Sequence, residues 1–357
     1  MNLEFWKNRK VFITGHTGFK GSWLSLWLKN LGSEVTGYSL NNNSEKLFFF
    51  RDANIEKGMN SIVGDIRDLK SLKQAVRNSN PDIIIHMAAQ ALVRDSYDDP
   101  INTYTTNVIG TVNIFEAAKE CNTVKSLINV TSDKCYENKE REEGYTEDEP
   151  MGGYDPYSSS KGCAELVASA YRKSFFKPGF SKISMASVRA GNVVGGGDWS
   201  KDRLIPDAIK SFYTNQPVTI RNPTSIRPWQ FVLEPLRGYL MLAEKLYLGE
   251  LQYSSAWNFG PNNSEVKNVE WIINNLSTKW GDGANWEYQE EELKILHEAN
   301  YLKLDITKSK NILDWHPLLN INDTLNLIVE WYKSFERNED ISATSINQII
   351  KYQNILK

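Results

Sequence analysis

A tyrosine and a lysine four positions apart, Tyr157 and Lys161, are the residues with the clearest chemical potential in the sequence. This spacing is about one helical turn and would place the phenol and the ammonium on one helix face. A nearby ammonium favours the phenolate and would lower the pKa of Tyr157 from its usual value of about 10. Such a phenolate could take the proton of an alcohol while a hydride leaves the same carbon.

A hydroxyl, a carboxylate and an amine follow one another at Ser132, Asp133 and Lys134. The hydroxyl could hydrogen-bond the reacting oxygen beside the tyrosine. Alcohol oxidation needs no further groups, so the adjacent acid and base indicate a second operation. That operation would remove a proton from one carbon and protonate a hydroxyl leaving the next. Alternatively, the carboxylate caps a turn and the amine is solvated, and these residues alone do not decide between the two.

A glycine-rich loop with the pattern GxxGxxG lies between a predicted strand and a predicted helix. It reads Gly15, His16, Thr17, Gly18, Phe19, Lys20 and Gly21. Glycines there permit a tight turn and a close approach of the backbone to a pyrophosphate, which the N–H groups of the following helix would bind. The loop therefore predicts a dinucleotide site, and an ordinary tight turn is the alternative.

Small and acidic residues at two other strand ends support a dinucleotide. Asp65 and Ile66 could contact the amine and the ring of adenine, although Asp65 could instead cap a helix. Ala88 and Ala89 leave room for a cofactor. Residues 38–41 offer neither a carboxylate for a ribose 2′-hydroxyl nor an arginine for a 2′-phosphate, so the choice between NAD and NADP stays open here.

Alternating strand and helix patterns position these residues. The predicted strands are 11–14, 34–39, 61–63, 82–86, 127–130 and 183–188, and the predicted helices are 22–31, 69–78, 100–120 and 157–175. The alternation predicts an α/β fold of the Rossmann type, a doubly wound parallel sheet with helices on both faces. Ligands bind such sheets at the carboxyl ends of the strands, where the reactive residues occur.

The pattern loosens after residue 190. We expect residues 1–190 to form a dinucleotide-binding domain that includes the catalytic residues. Residues 191–357 would form a smaller, mainly substrate-binding lobe, with some segments returning to the first domain. The acidic segment 137–150 is typical of a surface turn or lid, and 341–356 has the spacing of a helix that docks on the body or on another subunit.

Composition describes an ordinary folded protein. The 357 residues have a net charge of −3, with 41% apolar and 24% charged side chains, which excludes a disordered chain and argues against an extensive nucleic-acid surface. Three cysteines and four histidines without metal-binding spacing predict neither a disulfide framework nor a zinc site. With no apolar span and no signal peptide evident, we expect a cytoplasmic protein without membrane partners.

Longer motifs around these residues resemble those of one enzyme family. They are residues 13–23, 131–136, 155–161, 189–199, 202–207 and 227–230, which are spread over nearly the whole chain. The Tyr–Lys and glycine motifs mark only a superfamily, whereas the His-Thr-Gly-Phe-Lys-Gly loop, the Asp-Lys pair and the Gly-Gly-Gly-Asp-Trp segment are narrower. On these motifs the chain resembles the extended short-chain dehydrogenases/reductases that act on nucleotide sugars, and among them the CDP-glucose 4,6-dehydratases.

The resemblance implies an NAD-dependent lyase that converts CDP-glucose to CDP-4-keto-6-deoxy-glucose. Tyr157, helped by Lys161 and Ser132, would take the proton of the sugar 4-hydroxyl. Lys134 would remove the C5 proton, and Asp133 would protonate the departing 6-hydroxyl. Related dTDP-sugar dehydratases have Asp-Glu at this pair. A base must be neutral, which burial of the lysine would favour.

The resemblance also implies binding contacts. Gln90 and Asn107 would join the loop residues, Asp65 and the Tyr–Lys pair at the cofactor. The sugar nucleotide would be bound by Arg94, Ser132, Asn192, Arg203 and Arg227. Guanidinium groups suit a pyrophosphate, and a surface salt bridge is the alternative for each arginine.

Two positions depart from the family pattern, and both concern the electrostatics of the pocket. Asp95 stands where a second arginine is usual, and Phe231 where a histidine is usual. The family also pairs two long helices per subunit, here 100–120 and 157–175, which implies a homodimer or a dimer of dimers. The implied product would serve deoxysugar biosynthesis for the O-antigen of a lipopolysaccharide.

Other functions share parts of this pattern. A nucleotide-sugar 4-epimerase has the loop and the Tyr–Lys pair but needs no acid–base pair. A dehydratase of dTDP-, GDP- or UDP-hexoses differs only in its pocket, and the sequence places no residue against a cytosine. A catalytically inactive scaffold or redox sensor is disfavoured because Tyr157, Lys161 and the glycines are all present.

Overall fold

The computed structural model describes residues 1–40, 48–281, 283–289 and 301–356. Its strands are, in chain order, β1 (Lys10–Thr14), β2 (Glu34–Ser39), β3 (Asn60–Val63), β4 (Ile83–His86), β5 (Ser126–Val130), β6 (Ser184–Ala190), β7 (Val193–Val194), β8 (Val218–Ile220), β9 (Ile226–Arg227), β10 (Gln230–Phe231), β11 (Ala256–Phe259), β12 (Lys267–Asn268) and β13 (Trp286–Tyr288). Its α-helices are α1 (Phe19–Asn30), α2 (Phe49–Asp52), α3 (Leu69–Ser79), α4 (Val93–Asp98), α5 (Pro100–Tyr104), α6 (Gly110–Lys119), α7 (Pro156–Ser174), α8 (Leu204–Tyr213), α9 (Leu233–Tyr247), α10 (Val269–Trp280), α11 (Thr307–Leu313), α12 (Ile321–Glu336) and α13 (Ile341–Ile355).

A seven-stranded parallel sheet positions the site. Its strand order is β11-β6-β5-β4-β1-β2-β3. The connections change direction between β1 and β4, which makes this the switch point where such sheets bind ligands. Thr14 pairs with His86 and His86 with Asn129, so the carboxyl ends of β1, β4 and β5 lie side by side. The predicted doubly wound α/β fold is confirmed.

Alternate residues of the strands face two separate cores. Val11 and Ile13 of β1 pack into a cluster with buried residues of α1, α9 and α12, whereas Phe12 packs into a second cluster with residues of α3 and α6. This period of two is the pattern of a sheet covered on both faces. Among the described helices, none combines the length and apolar character that a membrane crossing requires.

The predicted single helix over residues 100–120 is wrong in one respect. The structure divides it into α5, a π-helical turn at Thr105–Ile109, and α6. The extra residue of a π-turn rotates the following side chains, a feature common at functional sites. Here the turn contains the buried Asn107, whose side chain bonds Gln90 and Ser160. Residues beyond 190 also supply β11 to the central sheet.

Candidate active site

The start of α7 fixes the orientation of Tyr157 and Lys161. Asp155 caps the helix by accepting a 2.9 Å hydrogen bond from the Ser158 N–H, and Pro156 occupies the first turn. Tyr157 and Lys161 lie one turn apart and are both buried at the carboxyl end of β5. The lysine Nζ lies 3.5 Å from the carbonyl oxygen of Val130. The structure therefore brings the predicted phenol and amine to one place.

Ser132, Asp133 and Lys134 leave β5 in a short 3₁₀ turn at Asp133–Cys135. The Ser132 hydroxyl caps this turn: it accepts from the Lys134 N–H at 3.3 Å and donates to Asp133 Oδ1 at 3.0 Å. Ser132 and Asp133 are buried and Lys134 is half-buried. The serine, the acid and the amine thus stand at the strand end that faces α7.

The structure corrects the predicted direction of the pKa shift at Tyr157. Burial raises the pKa of Tyr157 to about 12, because loss of hydration outweighs the Ser132 hydrogen bond and the positive charge of Arg203. Burial also lowers the pKa of the Lys161 ammonium, to about 8, which leaves this lysine mostly charged at neutral pH. Desolvation governs both groups more than their mutual attraction does.

Asp133 has the electrostatics of a proton donor. Burial raises the pKa of its carboxyl, against the opposing charges of Lys134 and Arg227. Loops of the second half of the chain enclose it: a Cβ at Gly191 would lie 3.1 Å from Asp133 Oδ2 and 2.8 Å from Cγ of Pro228. A side chain at position 191 would therefore crowd the carboxyl.

The glycine loop has the backbone of a phosphate cradle. Gly15 has a φ of +74°, and a Cβ at Gly21 would lie 2.1 Å from the carbonyl oxygen of Gly15, so both positions require glycine. Within the described chain no side chain caps α1 at Gly18, whereas Asp68 caps α3. Uncapped N–H groups at a helix start suit a pyrophosphate, so these residues fit a dinucleotide.

Side chains of the glycine loop form hydrogen bonds within the protein or have pKa values shifted by burial. The His16 ring hydrogen-bonds Ser61 at 2.8 Å, and burial lowers the pKa of His16 to about 4, so the ring is neutral. Thr17 Oγ1 lies 2.8 Å from Ser39 Oγ. Burial, together with Lys161 and Arg203, lowers the pKa of Lys20 to about 7.

By the crevice we mean the space at the carboxyl ends of β1 and β4, where the sheet changes direction. A hydrogen-bond network fixes the residues that line it. His86 bonds Thr14 at 2.6 Å, and burial lowers the pKa of His86 to about 3. Thr14 Oγ1 in turn accepts from the Ala88 N–H at 3.2 Å. Asn107 accepts from the Gln90 N–H at 2.8 Å and donates to Ser160 Oγ at 2.8 Å, which joins this wall to α7.

Asp65 and Ile66 follow the carboxyl end of β3, at the edge of the sheet. The Asp65 carboxylate binds the Arg67 guanidinium with both oxygens, at 2.5–3.0 Å. The helix-cap alternative for Asp65 is wrong, since Asp68 caps α3. Ile66 is buried. Of the second-strand end noted above, Asn41 lies outside the described residues.

The predicted sugar-nucleotide residues divide into two groups. Arg203 binds the buried Asp198 at 3.0 Å, and its charge lowers the pKa of Tyr157, as the charge of Arg227 lowers the pKa of Asp133. The structure thus brings these two arginines to the reaction centre. Arg94 is part-exposed, with its Nε 3.7 Å from an oxygen of Asp202. The backbone carbonyl of Asn192 accepts from Gln230 at 3.0 Å.

The two departures from the family pattern have ordinary structural partners. Asp95 forms a 2.9 Å ion pair with Lys201, with both side chains at least one-third exposed. Phe231 is fully buried, and its ring lies edge-on to Trp23 with centroids 6.1 Å apart. Asp95 therefore has an oppositely charged partner, and Phe231 is part of the hydrophobic core.

Sequence reasoning missed a buried ion pair directly behind the reaction centre. Glu165 and Arg189 are 2.9 Å apart, and Glu165 also binds Thr131, the residue before Ser132. The available signal was the spacing: Glu165 follows Lys161 by the same four residues that separate Lys161 from Tyr157.

Comparisons with known proteins agree with this geometry. The family model described as GDP-mannose 4,6 dehydratase matches residues 12–328. The chain is 52% identical over 355 residues to a CDP-glucose 4,6-dehydratase of Salmonella typhimurium, covering 99% of this chain and 98% of the relative. It is 24% identical to the dTDP-glucose 4,6-dehydratase of Haemophilus influenzae, over 90% of this chain and 97% of that one.

A solved structure has the same fold. The dTDP-glucose 4,6-dehydratase of Bacillus anthracis in complex with NAD superimposes with a TM-score of 0.76 at 22% identity, covering 93% of this chain and 98% of that one. The family model spans most of the sequence, and the Salmonella relative aligns over almost all of it. The chain therefore belongs to the nucleotide-sugar dehydratase family that the GDP-mannose 4,6 dehydratase model describes.

Proposed function

We propose that this chain catalyses the NAD-dependent dehydration of CDP-D-glucose to CDP-4-keto-6-deoxy-D-glucose. The observation that carries the proposal is the buried Asp133 carboxyl, with its raised pKa, beside Lys134 and opposite Tyr157. An epimerase needs no such acid. The 52% identity to the Salmonella CDP-glucose 4,6-dehydratase supports the choice of reaction and of nucleotide.

Oxidation at C4 uses the Tyr157 side of the site. Tyr157 takes the proton of the sugar 4-hydroxyl, and Ser132 hydrogen-bonds that oxygen. Because burial raises the pKa of Tyr157 to about 12, positive charge nearby must stabilise the phenolate, and Lys161 and Arg203 supply it. Bound NAD would supply the hydride acceptor for oxidation at C4 and the hydride donor for reduction at C6.

Elimination uses the Asp133 side. A ketone at C4 acidifies the hydrogen at C5, which Lys134 removes. Asp133 donates its proton to the departing 6-hydroxyl, and the raised pKa of Asp133 keeps that proton available. As the hydride reaches C6, Lys134 returns its proton to C5, and the proton gained by Tyr157 replaces the one that Asp133 gave up. The overall reaction releases one water and leaves the redox state of the cofactor unchanged.

The glycine loop and the crevice walls would hold NAD. The uncapped start of α1 would bind the pyrophosphate, and the Gln90–Asn107 pair would line the crevice near α7. Asp65 would contact adenine through the carboxylate that Arg67 orients. We place the sugar nucleotide against Arg203, Arg227, Asn192 and Arg94, so that residues 191–357 mainly bind substrate and residues 1–190 mainly bind cofactor.

Turnover with four nucleotide sugars tests the proposal. CDP-, dTDP-, UDP- and GDP-hexoses are each incubated with the protein and NAD⁺, and loss of the 6-hydroxyl is followed by NMR. We expect a 4-keto-6-deoxy product from CDP-glucose alone. Product from another nucleotide would overturn the base assignment, and an epimerised sugar with its 6-hydroxyl intact would overturn the dehydratase assignment.

We further propose that the chain forms a homodimer through α5, the π-turn and α7. These elements expose apolar side chains to solvent: Ile101 is 76%, Ile109 50% and Leu166 60% exposed. Exposed apolar residues grouped on adjacent helices are typical of an interface. Light scattering should show a dimer or a dimer of dimers, and Leu166→Glu should release monomers; a monomeric wild type would contradict this.

We also propose a location, from the proposed reaction, and a pathway, from the family resemblance. A nucleotide sugar and NAD are substrates of the cytoplasm, so we propose that the protein acts there. Its product would supply deoxysugars to an O-antigen. Fractionation of the source cells should recover the activity with soluble enzymes, and recovery with membranes would contradict the location.

A further inference from the structure

The buried Glu165–Arg189 pair belongs to the same helix face as the reactive phenol. Glu165 lies one turn beyond Lys161 on α7, and its side chain is 2% exposed, against 4% for Arg189. Removing two charges from water is costly unless close geometry and further hydrogen bonds compensate. What this pair binds therefore indicates why it is buried here.

Glu165 holds the residue that precedes the reactive segment, by which we mean residues 131–136. Thr131 Oγ1 donates to Glu165 Oε1 at 2.5 Å. The other carboxylate oxygen accepts from Ser187 Oγ at 2.7 Å and from Arg189 Nη2 at 2.9 Å. The beginning of the reactive segment is thereby tied to α7 and to β6.

Arg189 holds the other end of the reactive segment. Its Nη1 donates to the Tyr136 hydroxyl at 2.6 Å, and that hydroxyl donates to Asn258 Oδ1 at 2.8 Å. The guanidinium also lies over the Tyr136 ring, 4.8 Å from its centroid. One ion pair consequently binds both ends of the segment that contains Ser132, Asp133 and Lys134.

We propose that Glu165 and Arg189 are positioning residues that hold the reactive segment against Tyr157 and Lys161, and that Arg189 acts through Tyr136 on the elimination step. This inference rests on the proposed function, because it concerns the two steps of that reaction. Neither residue needs to touch substrate. Their effect is the placement of groups that do.

The two ends of the segment serve different steps. Thr131 adjoins Ser132, which assists oxidation, whereas Tyr136 closes the turn that contains Asp133 and Lys134. Loosening the Tyr136 end should therefore slow elimination more than oxidation. The 4-keto hexose that still has its 6-hydroxyl would then accumulate.

Tyr136→Phe tests this division because it removes one hydroxyl and keeps the ring. Single-turnover reactions of the full-length protein with CDP-glucose and NAD⁺ are quenched over time. The 4-keto-6-hydroxy sugar is measured by mass spectrometry, and reduced nicotinamide by absorbance. We expect an unchanged oxidation rate, elimination slowed about 10-fold or more, and transient accumulation of both species.

Tyr352→Phe is the matched control. The Tyr352 hydroxyl also lies between a buried glutamate and arginine, donating to Glu234 at 2.7 Å and accepting from Arg237 at 3.0 Å, but these residues belong to α9 and α13. The Tyr352→Phe variant should leave the ratio of the oxidation and elimination rates unchanged, even if it lowers the melting temperature as much as Tyr136→Phe does. A purely structural role for Tyr136 predicts the same of both variants.

The outcomes separate the inference from the proposed function. An unchanged ratio in Tyr136→Phe, or an equal change in Tyr352→Phe, would overturn the positioning role while wild-type turnover stands. Glu165→Gln should slow both steps; if it does not fold, the two tyrosine variants still decide. A wild-type protein that dehydrates no nucleotide hexose would overturn the proposed function itself, whatever the variants do.

Discussion

Two buried glutamate–arginine pairs, each with a tyrosine hydroxyl beside it, occupy different regions of this protein. Glu165 and Arg189 lie behind the reaction centre, 2.9 Å apart. Glu234 and Arg237 lie within α9, where their closest atoms are 3.7 Å apart and Tyr352 of α13 joins them. All four charged side chains are almost fully buried.

The carboxyl pKa differs between the pairs. Burial would raise the pKa of Glu165, but Arg189 and hydrogen bonds from Thr131 and Ser187 hold it below the ordinary value of 4.5. Burial does raise the pKa of Glu234, because it outweighs the lowering effects of the more distant Arg237 and of the hydrogen bonds from Tyr352 and the backbone N–H groups of residues 318 and 319. The first pair is therefore a close ion pair. In the second pair, Glu234 is held mainly by hydrogen bonds from Tyr352 and from the backbone of residues 318 and 319.

The difference teaches what each pair does. Three charge-assisted bonds to Glu165 fix the strand end that contains the candidate reactive groups, where small displacements alter chemistry. The bonds around Glu234 fasten the C-terminal helix and the loop before α12 to α9. Variants near the first pair should change reaction steps, and variants near the second should change only stability.

The largest effect is expected at the phenol itself. Tyr157→Phe removes the group that takes the 4-hydroxyl proton, so turnover should fall about 10³-fold. Stopped-flow absorbance of reduced nicotinamide and NMR of the product measure it. Tyr352→Phe, the corresponding change beside the second pair, should retain most activity. Near-normal turnover in Tyr157→Phe would remove this tyrosine from the mechanism.

Neutralising the first pair should cost stability in a pH-dependent manner. The lowered pKa of Glu165 means that its carboxylate stabilises the fold above pH 4.5, and that this contribution disappears as pH falls through the folded-state pKa. Glu165→Gln leaves the arginine unpaired and should lose about 3 kcal/mol at neutral pH. In urea unfolding, the difference in free energy of unfolding between wild type and variant should become smaller as pH falls below 4.5.

The stability of Glu234→Gln relative to wild type should change with pH in the opposite direction. Since the pKa of Glu234 is raised, its ionisation destabilises the fold as pH rises from 4.5 through the folded-state value. A neutral glutamine avoids this, so the variant should gain on wild type as pH rises. If the free energy of unfolding of Glu165→Gln and of Glu234→Gln, each relative to wild type, changed with pH in the same direction, the distinction between the pairs would be refuted.

Removing the C5 base should affect one step only. Lys134→Ala keeps Tyr157 and Ser132, so oxidation should continue while elimination falls about 10²-fold. The quenched-flow assay for the 4-keto-6-hydroxy sugar measures both rates in one experiment. Elimination at the wild-type rate would mean that another group removes the C5 proton.

The smallest effect is expected in the substrate lobe. Arg203→Lys keeps the charge but loses the forked donor that Asp198 orients, so the KM for CDP-glucose should rise about 10-fold with little change in kcat. Initial-rate kinetics decide this, with Arg337→Lys as the control, because the exposed Arg337 pairs with Glu339 outside the proposed substrate site. Equal effects of the two changes would contradict the assignment of Arg203 to the pocket.

Local patterns predicted most of the fold. The predicted strand 34–39 matches β2, and the predicted helix 157–175 differs from α7 by one residue at each end. Such segments combine clear periodicity with caps, which act locally. The π-turn at Thr105–Ile109 escaped prediction because it depends on contacts with distant residues, including Gln90 and Ser160.

The placement of the candidate site residues could be predicted better than their electrostatics. Spacing identified Tyr157 and Lys161, but the sign of the tyrosine shift depends on how much water the fold removes, which spacing does not encode. Glu165 and Arg189 meet because β5 and β6 are adjacent in register and α7 packs near them. That pairing follows from tertiary structure alone.

The transfer of hydrogen from C4 to C6 tests the central claim most directly. CDP-glucose labelled with deuterium at C4 is incubated with the protein and NAD⁺, and the product is analysed by NMR and mass spectrometry. The proposed chemistry predicts a 4-keto-6-deoxy sugar with the deuterium at C6. A sugar that keeps its 6-hydroxyl and its deuterium at C4, epimerised or not, would contradict it.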